Sequence, residues 1–550
     1  MASVLCSDPL SLSIATIILL TISSFILYGH LYQTLRLQQR EPEPEIDLNF
    51  LEPTILAKNL VSALPESVIL PYQMRDFKQA LNAYWAQQEC EVIPACVVRP
   101  RSAQELNTAV TILKQEYIEQ ERTQGTQRET AGGIFAVRGG GHSPIPCAAS
   151  IKQGAVVDLR LLNGVTPSED GKSVVVGGGA NWMDVSKVLD EKGLAVVGGR
   201  NAAVGVGGLT LGGGISFFTP RFGLVCSNVL SYEIVLADGS ITTASANTNP
   251  DLWRALKGGS NNFGIVSSFT LKSFPCTEIW SGFLYLPAFQ TTKVLAAFHD
   301  TIDTMHTTDF SFGAGPLLSF SYIPKINLQV IAVNLVSTEV AKNPKKWPVC
   351  WKESSFAPLW RYWSTCKVRS LTNATDELNA LNPPGRRQTF GTVTIQNEPA
   401  TIAAAHFAYS DAFASLRRAN PKGMVWTIVF QPFLPTWVRK GDGNPLGLHD
   451  AKEALVIVSF TVNWDEQGDD ELVKRTTRLT LEKIESYATA NNTGHKYRYL
   501  NYCNEWQKPF QSYGEKNWQF LKNTSKKYDP DGLFQRGCVG GFKLDVDNEA

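Results

Sequence analysis

Residues 136–143 read AVRGGGHS: a short apolar lead, an arginine, three glycines, a histidine and a serine. Glycine reaches φ > 0 without steric cost and lets backbone N–H groups approach a ligand closely, so this stretch suits a phosphate cradle leaving a strand. Arg138, Gly139, Gly140, Gly141 and Ser143 would supply N–H groups and a cation, and His142 a ring nitrogen. A Gly-rich turn with a satisfied histidine is the alternative that the octapeptide by itself leaves open.

Three further stretches follow in order: VVGGGANWMDVSKVLDEKGLAVVGG (residues 175–199), AAVGVGGLTLGGGISFFTPRFGLVCSNVLSYEIVLADG (202–239) and DLWRALKGGSNNFGIVSSFTLKSFP (251–275). So many glycines make a weak strand, and they permit close approach by something flat or bulky. With AVRGGGHS these motifs resemble the FAD-binding domain of the FAD-linked oxidases of the vanillyl-alcohol oxidase, or PCMH-type, fold. Within that group the chain resembles the berberine bridge enzyme-like oxidoreductases, particularly fungal members of secondary-metabolite pathways. The likeness spans residues 64–274 and returns near the C-terminus in YRYLNYCN and KKYDPDGLFQ.

The resemblance implies a covalent FAD joined through His142 to the flavin 8α-methyl carbon. Many plant members add a cysteine in GxCPTVGVGG, bonded to flavin C6; here GGRNAAVGVGG places Asn201 there, which implies single attachment. Val204 falls where the family pattern links valine to oxygen reactivity, so molecular oxygen is the expected acceptor; a plain β-branched packing residue is the alternative. Gly205, Gly207 and Gly208 belong to the same string. Asn262, Gly264 and Val266 match the GGGNFGIV segment whose backbone contacts the pyrophosphate and flavin pyrimidine. Asn501 is the implied flavin contact of the tail motif, and Tyr502 its candidate substrate-side hydroxyl.

For the catalytic base the carry-over weakens. Plant relatives carry a glutamate or glutamine in a pattern like YKIQYxVxW, whereas alignment on Trp464 puts Ile457 and Ser459 at the lysine and glutamine positions. A serine hydroxyl is a poor base without an activator. His449 and Tyr502 are the other choices, unless the reaction needs no base.

Lys plus Arg equals Asp plus Glu at 51 each, with no long basic run, which argues against a nucleic-acid partner. A composition 43% hydrophobic and 19% charged can bury a core, and 550 residues call for two domains or one large composite unit. The ten cysteines are scattered rather than set in CxxC pairs, which argues against a metal site. Cys90 and Cys96 are close enough in sequence to bridge in an oxidising compartment; two free buried thiols are the alternative.

The expected fold is α+β: a two-subdomain FAD-binding domain (64–275), a substrate domain with an antiparallel sheet (276–498) and a C-terminal segment returning to the flavin domain (499–550). Residues 1–35 form the expected anchor, because 10–28 are uncharged and apolar over about the 20 residues that span a membrane. A cleaved secretory signal is the alternative. An endomembrane location follows, with Arg36 and Arg40 favouring a cytosolic body and the sequons at Asn373, Asn491 and Asn523 a lumenal, glycosylated one. Residues 36–63 read as a linker, folding starts near Leu64, and 361–384 and 438–448 read as loops. The sequence thus predicts hydride transfer from a small organic substrate to FAD, with oxygen reduced to hydrogen peroxide. An oligosaccharide oxidase is the enzymatic alternative and a catalytically idle flavin-binding module the non-enzymatic one.

Overall fold

The computed structural model describes residues 52–544 apart from 125–132, 324–327, 340–342, 344–345 and 442. The expected anchor lies outside the described residues, among which no helix is long and apolar enough to cross a membrane.

The first sheet is built from β1 (Val68–Ile69), β2 (Cys96–Val98), β3 (Phe135–Arg138) and β4 (Ala155–Asp158), in the order β1-β2-β4-β3. Strands β2 and β3 run parallel to β4, and their runs of apolar residues are buried. Helix α1 (Ile55–Ala63) is capped by the Thr54 hydroxyl, which accepts from the Ala57 N–H, and it buries Leu56, Ala57 and Leu60 against α2 (Ala103–Gln124). The folded body therefore starts ahead of Leu64, because a short apolar stripe with its own cap makes residues 55–63 a core helix rather than linker. Ser102 caps α2 as its S-x-x-E spacing predicts, with Oγ accepting from the Glu105 N–H at 3.2 Å.

The second sheet has the order β5-β6-β10-β8-β9, from β5 (Val165–Pro167), β6 (Ser173–Gly177), β8 (Val229–Val235), β9 (Ile241–Ser245) and β10 (Ile265–Pro275), with β7 (Leu194–Val196) also pairing with β10. Helix α3 (Trp182–Asp190) opens on a full capping box between Asn181 and Asp184. Helix α4 (Val206–Leu211) opens on Gly205.

A third, nine-stranded sheet runs β14-β11-β13-β12-β17-β18-β16-β19, with β15 pairing with β11. Its strands are β11 (Ile279–Pro287), β12 (Gly313–Ile323), β13 (Leu328–Ser337), β14 (Trp363–Ser364), β15 (Lys367–Arg369), β16 (Arg387–Gln396), β17 (Val425–Phe433), β18 (Leu455–Trp464) and β19 (Gly494–His495). Alternation decides its two faces. Trp426, Ile428 and Phe430 of β17, with Val456, Val458, Phe460 and Val462 of β18, join α5 (Thr291–Thr307), α7 (Pro399–Ala419) and α8 (Asp470–Ala490) in one core. The opposite face carries Ser319 against Val429, Ser321 against Thr427, Val429 against Ser459, and Thr461 against Phe390.

The 361–384 stretch is not all loop, since α6 (Leu371–Ala380) is capped by Ser370 and buries Ala374, Thr375 and Leu378. From α9 (Glu515–Tyr528) the tail returns to the flavin half. Ile134 N–H donates to the Gly537 carbonyl at 2.7 Å and Val539 N–H to that of Phe135 at 2.8 Å, so the tail pairs along β3 just before the glycines. Cys90 and Cys96 are both free: Cys96 is packed inside the first sheet's core, while Cys90 Sγ lies against the Tyr84 and Ala86 carbonyls. Asn373, Asn491 and Asn523 are exposed, but the hydroxyl residues that complete their sequons, Thr375, Thr493 and Ser525, are buried.

Candidate active site

Strand β3 ends at Arg138 and the chain turns through Gly139–Gly141, where Gly141 has φ 63°. Gly140 and Gly205 meet backbone to backbone: a Cβ on either would lie 2.5 Å from the other's amide nitrogen. Only glycine at both positions lets the loop touch the start of α4. Beside this contact the space is open. A Cβ at Gly139 would meet only the Gly178 carbonyl at 3.5 Å, and one at Gly208 nothing within 4 Å.

His142 stacks on Trp85, with ring centroids 4.4 Å apart and planes 10° from parallel. Its Nε2 is buried with no hydrogen-bond partner among the described residues. Burial pushes the imidazole down to about 4, so at neutral pH the ring is uncharged and holds a bare nitrogen, the form that acts as a nucleophile. Trp85 is itself fixed, its backbone N–H donating to the Gly141 carbonyl at 3.0 Å and its Nε1–H to that of Asn382 at 2.9 Å. Trp85 also packs on Phe390 at 5.4 Å, which sits 6.0 Å from Tyr502. One aromatic chain thus links the histidine to the tail and the large sheet.

Beneath the loop, Glu89 is fully buried and accepts from the backbone N–H groups of Ala148 (3.2 Å) and Ala149 (3.4 Å). Burial pushes its carboxyl up to about 7 against those bonds. A carboxyl raised above its ordinary value of 4.5 contributes stability that is complete below that value and lost as pH rises through about 7. Glu89→Gln should therefore remove roughly 3 kcal/mol of the wild-type pH dependence across this window. Urea midpoints of both proteins from pH 4.5 to 8 test it, and parallel profiles would contradict it.

Arg138 is held by the protein's own groups. It is buried, donating to Asp158 at 2.7 Å and to the Ala80 carbonyl at 2.7 Å, with its guanidinium 4.4 Å over the Tyr84 ring. Although burial works to raise it, Arg138, Arg160 and Arg99 hold the Asp158 carboxyl below its usual range. The guanidinium expected for the cradle is ion-paired between β3 and β4. The Asn262 side chain is taken up within the protein. Its Nδ2 donates to the carbonyls of Gly259 (2.8 Å) and Phe542 (2.9 Å), and its Oδ1 accepts from Gln535 (3.0 Å), which binds the tail. Gly264 and Val266 are backbone fits: a Cβ at Gly264 would meet the Val235 carbonyl at 2.5 Å, and the Val266 carbonyl lies 2.3 Å from where Gly178 would carry one.

Asn501 Nδ2 donates to the Leu209 carbonyl and to Tyr499 Oη, both at 3.1 Å, which locks the tail motif onto α4. Tyr502 Oη accepts from Arg200 at 2.9 Å. Asn201 Oδ1 caps its own turn, accepting from the Ala203 N–H at 3.0 Å, and the Thr375 carbonyl of α6 takes the Ala202 N–H at 3.2 Å. Val204 is half-buried, its carbonyl accepting from the Trp182 N–H at 3.0 Å, next to the Gly140–Gly205 contact. Ser143 Oγ accepts from the Ile145 N–H at 3.3 Å. Gly207 packs on the Gly178 carbonyl. Ser459 is buried on the face of β18 that carries Thr461, opposite Thr392 of β16.

His449 does not join this group. It is exposed on the loop after Leu448, with Arg439 donating to its carbonyl at 3.2 Å, because Leu446 and Leu448 are the residues of that loop that turn into the core. Conversely, Trp85 and Arg200 carry no sequence signal of their own; only the folded contacts with His142 and Tyr502 reveal them.

Residues 94–245 match the family model of the FAD binding domain. Over 469 residues the chain is 33% identical to an FAD-dependent monooxygenase of Cochliobolus heterostrophus, covering 84% of this chain and 87% of that protein. The chain belongs to the family of such FAD-dependent monooxygenases, oxidoreductases with an FAD binding domain. Solved structures of similar fold include 6-hydroxy-D-nicotine oxidase of Arthrobacter nicotinovorans (21% identity, TM-score 0.66, 87% and 98% of the two chains). Another is glucooligosaccharide oxidase of Acremonium strictum, whose FAD is described as 6-S-cysteinyl, 8α-N1-histidyl (19% identity, TM-score 0.65, 89% and 99%). The donor set here suits FAD: a ring nitrogen at His142 without a partner among the described residues, and open backbone at Gly139 and Gly208.

Proposed function

We propose that this chain is an oxidase that removes hydride from a C–H bond of a small organic molecule, with FAD held covalently through His142 alone and oxygen as the acceptor. The neutral ring of His142, beside the glycine turn and with no partner on Nε2 among the described residues, carries this reading. Asn201 supports single attachment, since an amide that caps its own turn cannot form a thioether. When bound, FAD supplies the two-electron acceptor and passes the pair to oxygen, giving hydrogen peroxide. The protein's part is placement and proton handling. Gly139 and Gly208 offer open backbone to the cofactor, and Asn501 holds the tail motif against α4. Arg200 donates to Tyr502 Oη, which leaves the phenol's own proton free to turn toward a substrate; Ser459 lies on the same face of β18 as Thr461, which pairs with Phe390. We also read residues 10–28 as an endomembrane anchor on their uncharged apolar run.

A second reading, an oligosaccharide oxidase, is favoured by one observation: the sheet face beside Phe390 and Tyr502 is rich in hydroxyls, from Ser319, Ser321, Thr427, Ser459 and Thr461. Peroxide released with oligosaccharides and not with aromatic alcohols would select it.

Val204→Leu tests the choice of acceptor. One extra methylene in a close-packed wall should slow reoxidation of the reduced protein by oxygen on the order of tenfold and leave its reduction by dithionite unchanged. Stopped-flow absorbance reads both. Equal reoxidation rates in the two proteins would show that Val204 does not gate oxygen.

A further inference from the structure

Arginines of low exposure in this protein mostly have a partner for their charge. Arg99 and Arg160 pair with Asp158, Arg386 with Asp465 and Arg387 with Asp470, while Arg221 lies over the rings of Phe222 and Phe312. Arg200 differs. It is half-buried, and among the described residues it meets neither a carboxylate nor a ring face; its one hydrogen bond runs from Nη2 to Tyr502 Oη at 2.9 Å. Its remaining guanidinium N–H groups have no protein partner there and, unlike Nε2 of His142, are open to solvent. The backbone that carries it is fixed on both sides. A Cβ at Gly199 would lie 2.5 Å from Trp182 Nε1, the Asn201 side chain caps the turn that follows, and the Ala202 N–H donates to the Thr375 carbonyl at 3.2 Å. That turn ends at Val204 and Gly205, against Gly140 of the histidine loop. Having accepted from Arg200, the Tyr502 hydroxyl keeps its own proton and gives it to no described residue. Phe390, half-buried and 6.0 Å from Tyr502, adds an apolar wall. Two adjoining donors thus stand beside the candidate site, one of them a full positive charge, with no carboxylate of the described chain to answer it.

We propose that Arg200 is the specificity-determining residue of the substrate site and selects small organic acids by gripping the substrate's carboxylate. One carboxylate oxygen would accept from the Arg200 guanidinium and the other from the Tyr502 hydroxyl. A carboxylate carries acceptors alone, so it answers both donors at once, and a planar guanidinium matches its shape. A neutral alcohol or sugar would bring hydroxyl protons of its own and leave the charge unanswered, and an ammonium would be repelled. The inference rests on the oxidase reading, with the Tyr502 side as the substrate site, and names the substrate class for it.

The test titrates purified, flavin-bearing full-length protein with benzoate and with benzamide, its neutral isostere, by calorimetry, and measures covalent flavin and its reduction potential on the same samples. Wild type should bind benzoate about tenfold more tightly, since a charge-assisted pair takes the place of a neutral hydrogen bond. Arg200→Gln should bring that ratio near unity, and Arg200→Lys, which keeps the charge without the fork, should retain about threefold. An arginine that only held Tyr502 in place would, once replaced by glutamine, weaken both probes alike and leave their ratio unchanged. Equal binding of the two probes by wild type, binding of neither, a ratio unchanged in Arg200→Gln, or a ratio lost to the same extent in Arg200→Lys would overturn the assignment. So would a flavin potential that falls in Arg200→Gln while the ratio holds, because the charge would then serve the cofactor. Wild-type protein that folds without covalent flavin would count against the oxidase reading instead.

Discussion

Alanine at Gly140 should destabilise the protein by about 3 kcal/mol or more and leave little covalent flavin, while leucine at Gly208 should keep the fold and lose only the flavin. The contrast comes from what each new side chain would meet. At Gly140 the Cβ would sit 2.5 Å from the Cα and amide nitrogen of Gly205, and backbone atoms fixed by α4 and β3 cannot both give way. At Gly208 there is nothing within 4 Å, and replacing glycine by leucine inside a helix adds up to about 1 kcal/mol of helix propensity. If that empty space is the cofactor's, a leucine there competes with FAD and with nothing else. Thermal melts and the flavin-to-protein ratio after acid precipitation separate the two effects. A stable Gly140→Ala protein, or a Gly208→Leu protein with full flavin, would contradict this account of the cradle.

Trp85→Ala should have the second largest effect. Truncating a tryptophan that is 5% exposed costs about 3–5 kcal/mol, and here it also removes the surface that orients the His142 ring. The Nε1–H bond to Asn382 and the contact with Phe390 go with it, so the hold between the histidine loop and the large sheet weakens as well. Trp85→Phe restores a stacking plane without the indole N–H. It should recover most of the covalent flavin and about half of the lost stability, since a net hydrogen bond is worth about 1 kcal/mol. Flavin content that stays full in the alanine protein would show that stacking does not position His142.

The sequence made legible what depends on local chemistry. The glycines of AVRGGGHS and VGVGG announce close backbone approach, and Gly140 and Gly205 do touch. The S-x-x-E spacing at Ser102 and the β-branched run ending at Trp464 became a capped helix and a buried strand. The roles of charged and aromatic side chains were less legible, because they depend on partners far away in the chain. Arg138 reads as an anion-binding cation until Asp158, 20 residues on, is seen to absorb it. The Asn262 side chain likewise finds partners in Gln535 and Phe542, more than 270 residues away. Trp85 and Arg200 were silent for the same reason, as each matters through a neighbour brought in by another domain or by the tail. His449 shows the converse, a residue of the right type on a loop whose leucines, rather than its histidine, point inward. Helices α1 and α6 were missed because each is short and offers too few apolar positions for a periodicity to stand out.

Peptide mapping of acid-denatured, proteolysed wild-type protein tests the central claim most directly. The account predicts yellow flavin on one peptide alone, the one containing His142, with every cysteine unmodified. Flavin that is released on denaturation, or a flavin-bearing cysteine peptide, would contradict it.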